Sequence, residues 1–163
     1  MLRCDTLYVV TRQDSHGHSD VMSALALRAK AGGHLPATCE IESCNLHEPQ
    51  TIAAALKLLT TKATGRDIVL VVRGGGAWLD HFEDTRVIEA FGMLAINCPT
   101  YVAIGHARDE LPLLEDIVLE SFDTPSAAIP QLDDLLQAIE ASRQRRVDVE
   151  VEVVSVGATA STR

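Results

Sequence analysis

The sequence predicts a single α/β domain with a mainly parallel sheet and flanking helices in βαβαβαβ order, closed by a C-terminal helix and an edge strand. Three observations carry this. Short apolar runs alternate four times with stretches of helical period. Two of those runs, 67–73 and 101–104, are continuous aliphatic segments of the kind buried on both faces of a parallel sheet. Only 4% of residues are aromatic while 47% are hydrophobic, so the core has to be built from Val, Ile and Leu.

The elements follow in order. Leu7-Tyr-Val-Val-Thr11 is a β-branched and aromatic first strand, followed by a polar loop over 12–19. Residues 20–30 place Val21, Leu25 and Ala29 at near-helical spacing, and Gly32-Gly33 stops that helix. Ala37 to Ile41 reads as the second strand. Glu48-Pro49 opens a helix with an apolar face of Ile52, Ala55, Leu56 and Leu59, and Gly65 lies beyond its end. The third strand runs into Arg73. Residues 87–94 are helical in period, and Pro99 breaks the chain before the fourth strand at Tyr101. A short helix is expected over 113–119. Thr124-Pro125 reads as an N-cap with proline at the first helical position, opening a helix to about Arg145. Val147, Val149, Val151 and Val153 then alternate with Asp148, Glu150 and Glu152, which predicts an edge strand over 147–156. The domain is thus expected over 1–156, with 157–163 as a frayed tail.

At 163 residues the chain is one domain by length, and 23% charged residues are ordinary for a soluble globular protein. No run approaches the roughly 18 apolar residues of a membrane span, and the N-terminal residues lack the apolar stretch of a signal peptide. A cytoplasmic protein with no membrane contact is therefore expected. Cys4, Cys39, Cys44 and Cys98 form no Cys-x-x-Cys pair and read as reduced, mostly buried thiols. The net charge of −9 argues against broad counterion-release binding of nucleic acid, so any such ligand must meet a local basic feature or a separate module.

Chemistry is expected at the carboxyl ends of the strands, where loop amides and helix N-termini converge. The third strand delivers Arg73 and Gly74-Gly75-Gly76 to that edge, and the fourth delivers Gly105, His106 and Asp109. Glycines let the backbone approach an oxygen-rich group, and the arginine fork fits a phosphate bidentately. Without other context, Arg73 could equally pair a surface carboxylate in a glycine-rich turn. The run matches neither the P-loop nor the Gly-x-Gly-x-x-Gly pattern. His106 suits proton transfer, with Asp109 placed to orient the ring; the alternative is a histidine that simply ends a strand. His16-Gly17-His18-Ser19-Asp20 shares the same edge, but its spacing is not specific to a metal and none is assigned. Asp20 can alternatively cap the first helix. Asp80, Glu83 and Asp84 read as a solvated acidic helix start, Trp78 as a core residue with a base-stacking platform as the alternative, and Arg143, Arg145 and Arg146 as a helix C-terminus complementing its dipole.

Taken together, Val71-Val-Arg73-Gly-Gly-Gly76, Ala103-Ile-Gly105-His106-x-x-Asp109 and Thr124-Pro-Ser-Ala-Ala128 resemble three segments that occur in this order in the exonuclease VII large subunit. Thr11, with Asp20 nine residues later, is similar to a further pair in that family. The likeness covers roughly residues 7–130. It implies hydrolysis of phosphodiester bonds in single-stranded DNA, an active-site set of Asp20, Arg73, His106 and Asp109, no obligatory metal or cofactor, and a small helical subunit as partner. Arg73, Gly74, Gly75, Gly76 and Gly105 would hold the phosphate, and self-association is a further expectation. Ala107-Arg108 stand where the family has Glu-Thr, and Ala77 where it usually has Ser. The family's OB-fold and long helical extension are not expected within these residues. Two other readings remain: a non-catalytic domain binding a phosphorylated small molecule or nucleotide, and a scaffold subunit pairing through its terminal helix and edge strand.

Overall fold

The computed structural model describes residues 5–36, 38–74, 79–104 and 111–160, with side chains through 142. Its centre is a parallel sheet of five strands in the order β2-β1-β3-β4-β5. The strands are β1 (Thr6–Thr11), β2 (Thr38–Ser43), β3 (Ile68–Arg73), β4 (Thr100–Ile104) and the two-residue β5 (Glu120–Ser121). All of β3 and β4 is buried, as their unbroken apolar runs require. The helices are α1 (His16–Ala31), α2 (Pro49–Lys62), α3 (Thr85–Asn97), α4 (Pro112–Glu115) and α5 (Pro125–Ala160), and a short 3-10 turn spans Leu79–Glu83.

The side-chain period of two along each strand splits the core. Val10, Val69, Val71, Val102 and Ile104 face α2 and α3, packing on Ile52, Leu56, Leu59, Phe91 and Leu94. Leu7, Val9, Leu70, Val72 and Ala103 face α1 and α5, packing on Val21, Ile129 and Leu132. Each fully buried side chain of this size contributes about 1.5–3 kcal/mol relative to exposure. Pro49 sits in the first turn of α2, and Ile52, Leu56 and Leu59 follow at the spacing that puts them on one stripe.

Several expectations are corrected. Helix α1 begins at His16, not Asp20, because Ser15 is the N-cap and accepts the His18 amide at 3.1 Å. Asp20 is therefore an exposed residue in the second turn and caps nothing. Strand β2 is Thr38–Ser43, extending two residues beyond Ile41. The helix expected over 113–119 is the single turn α4, because residues 120–121 are drawn out to pair with β4 as a fifth strand. Residues 147–156 are not a strand: α5 continues through them to Ala160, over part of the expected tail. Neither proline nor glycine interrupts residues 131–156, so no stop signal overrides the helix. Arg143, Arg145 and Arg146 consequently lie within α5 and not at its end. Among the described residues no helix is long and apolar enough to cross a membrane.

Candidate active site

From β1 the chain steps outward to β2 and then returns to the other side of β1 as β3. That reversal opens the crevice in which open α/β sheets bind ligands, beyond the carboxyl ends of β1 and β3. Here those ends are Thr11 and Arg73-Gly74.

Arg73 continues the Val69–Val71 side of β3, toward α2 and α3. It is only 5% exposed, and its guanidinium carbon lies 6.0 Å from the ring centroid of Phe82. The ring face is negative, so this contact favours a buried cation. A positive charge held in so dry a place acts on an anion far more strongly than one in water.

Gly74 meets the other side of the crevice. The first turn of α1 lies so close that a Cβ on Gly17 would stand 3.1 Å from the Gly74 nitrogen and 3.4 Å from Val72 Cγ1. Glycine at position 17 is what permits this approach. The N-terminus of a 16-residue helix, with its partial positive charge, is thereby set against the end of β3.

Downstream, Glu83 accepts the backbone amides of Leu113 at 3.2 Å and Leu114 at 3.0 Å. This half-buried carboxylate joins the turn that follows the glycine run to the helix that follows the His106 segment. It is not part of a solvated acidic helix start. Asp84 does fit that expectation, since it caps α3 and pairs with Arg86 at 2.8 Å. The Arg86 hydrogen bond holds its carboxyl down at about 2.

Of the residues singled out in the sequence, Arg73 and Gly74 fall together at the crevice, and Asp20 lies on α1, whose first turn borders it. Gly75, Gly76, Trp78, Gly105, His106 and Asp109 lie outside the described residues. His16 is exposed and His18 half-buried in the first turn of α1. Among the described cysteines Cys39, Cys44 and Cys98 are free, and only Cys98 is fully buried. Burial, reinforced by Glu40, pushes the Cys39 thiol up to about 11; burial with Asp67 pushes Cys98 up to about 12. Neither is a nucleophile near neutral pH. Sequence reasoning missed Phe82, Gly17 and Glu83 as supports of the site. Only Gly17 carried a signal, as a glycine beside a helix start.

The family model for the exonuclease VII large subunit matches residues 3–155. The chain is 29% identical over 140 residues to the exodeoxyribonuclease 7 large subunit of Tropheryma whipplei strain Twist, covering 82% of this chain and 33% of the relative. It is 28% identical over 149 residues to that of Salinibacter ruber, covering 86% and 37%. For Deinococcus radiodurans the figures are 31% over 138 residues, 78% and 31%. The chain therefore spans about a third of the length of these relatives.

Proposed function

Since this chain belongs to the exonuclease VII large-subunit family, we propose that it carries the hydrolytic centre of an exodeoxyribonuclease acting on single-stranded DNA. The observation that carries the reading is the buried Arg73 at the switch-point crevice, beside the glycine run that the family match includes.

In this reading a water oxygen bonds to the scissile phosphorus as the bond to the leaving nucleoside oxygen breaks. Arg73 and the amides of Gly74, Gly75, Gly76 and Gly105 hold the non-bridging oxygens and stabilise the charge that builds on them. His106 transfers a proton, either from the attacking water or to the leaving oxygen. Asp109 or Asp20 orients the imidazole or shares that transfer. Arg73 supplies the positive charge, so no metal ion is given a role. A small helical subunit is the proposed partner, self-association of the large subunit is a further proposal, and the cytoplasm is the proposed location.

The test is cleavage of an end-labelled single-stranded oligonucleotide at low salt, with and without EDTA, beside His106→Ala. Cleavage that survives EDTA and is lost in the variant supports the reading. No cleavage by folded protein, with the small subunit supplied, overturns it.

A further inference from the structure

Thr11 closes β1 at the mouth of the crevice and is completely buried, at 0% exposure. Among the described residues its hydroxyl has no hydrogen-bond partner. A buried polar group left in this way is destabilising, whereas a valine of the same shape would pack there without penalty. Folding does not account for the hydroxyl, and its surroundings do.

Thr11 follows Leu7 and Val9 on the α1 side of the sheet. It lies one residue beyond the Val10–Val71 pair, which sets it level with Val72. Val72 is the side chain on which Gly17 rests, next to the Gly74 nitrogen. The hydroxyl thus sits beneath the first turn of α1. Ser15 accepts the His18 amide there, while the Gly17 N–H is one of the first-turn amides to which helix geometry gives no intrahelical acceptor. Arg73 approaches the same edge from the opposite face of β3.

We propose that Thr11 and the N-terminus of α1 form an oxyanion subsite. The Thr11 hydroxyl and the Gly17 N–H donate to oxygens of a phosphoryl group between the ends of β1 and β3, which Arg73 grips from the α3 side. The inference rests on the phosphodiesterase reading above and adds a second set of donors to it. Thr11 is a binding residue, and removing its hydroxyl weakens the hold on phosphate without harming the fold.

The experiment compares the wild type with Thr11→Val and Thr11→Ser. Thermal unfolding is followed with inorganic phosphate titrated against chloride at matched ionic strength, and oligonucleotide cleavage is measured in parallel. Thr11→Val is expected to melt at or above the wild-type temperature without phosphate, to lose most of the phosphate-dependent rise, and to lose about tenfold or more in kcat/KM. Thr11→Ser, which keeps the hydroxyl, is expected to retain both properties. A Thr11→Val protein with full phosphate response and full cleavage overturns the subsite and leaves the nuclease reading standing. Equal losses in Ser and Val assign the effect to packing and overturn it too. A wild type that neither responds to phosphate nor cleaves overturns both readings.

Discussion

Truncating Asp133 tests how the terminal helix is fastened to the sheet layer that carries the site. This α5 carboxylate is 4% exposed; its Oδ1 accepts the His34 amide and, at 3.0 Å, the Leu35 amide. Its Oδ2 lies 3.6 Å from Arg28 Nη1. These contacts tie the α1–β2 turn to α5. Two charge-assisted bonds at about 1.5–3 kcal/mol each set an upper range of roughly 3–6 kcal/mol for Asp133→Ala. The His34 amide can recover a water, and Arg28 keeps Asp134 at 3.3 Å, so the expected loss is nearer ~2–3 kcal/mol. In equilibrium urea unfolding with m of about 2–3 kcal/mol/M, the midpoint then falls by about 1 M. Asp133→Asn separates the parts. Its amide oxygen can keep both backbone bonds, but its NH2 faces the guanidinium, and about 1 kcal/mol is expected. An Ala variant within about 0.5 kcal/mol of wild type would place this carboxylate among neutral surface positions and refute the reasoning. An Asn variant as damaged as Ala would show that the two amide bonds are not what holds the turn.

Gly17→Ala sets helix propensity against a steric contact: alanine gains up to about 1 kcal/mol inside a helix, while its Cβ, 3.1 Å from the Gly74 nitrogen, pushes α1 or the end of β3 away by a few tenths of an ångström. The melting temperature should stay close to wild type while oligonucleotide cleavage falls by roughly 10–100-fold, because positioning at a reacting centre tolerates little displacement. An unchanged rate would separate the α1–β3 contact from the site. For Asp84, the folded carboxyl is held at about 2 against an ordinary 3.8, so its contribution is complete above about 4 and disappears as pH falls through about 2. Thermal melts of wild type and Asp84→Asn should therefore show a small constant gap near neutrality that closes across that acid window. A gap that persists below it would mean that charge pairing with Arg86 is not its origin.

The central part of the fold was legible because its signals are local. The runs of β3 and β4, the Pro49 start of α2 and the Thr124-Pro125 start of α5 each combine a period with a start or stop residue. The start of α1 was misread because Ser15 and Asp20 are both good caps; Ser15 is the one used, and the first turn it opens carries Gly17 against Gly74 of a distant strand. Strand β5 is two residues long and is defined by pairing with β4, so no sequence period announces it. The valine alternation over 147–153 is a strand pattern only if a sheet edge receives it. Arg73 was legible as the polar end of an apolar run; its burial on Phe82, nine residues further along, follows from the return of the chain and not from local sequence.

The net charge sets the terms on which such a site can act. With 14 basic against 23 acidic residues, the overall field opposes approach of a polyanion. The positive features placed at the crevice are short-ranged: a buried guanidinium and the end of one helix. Donors of that kind do little to collect a substrate from solution, but they interact most strongly with a phosphate whose charge grows as the bond breaks. Differential interaction of this sort raises kcat, whereas uniform grip lowers KM. On the proposed reading, therefore, Arg73 and Thr11 hold the reacting phosphoryl group itself, and the grip on the rest of the strand comes from a local basic feature or a separate module. A partner or attached segment that binds single strands would lower KM while leaving kcat unchanged, and the KM gained in this way would rise again with added salt.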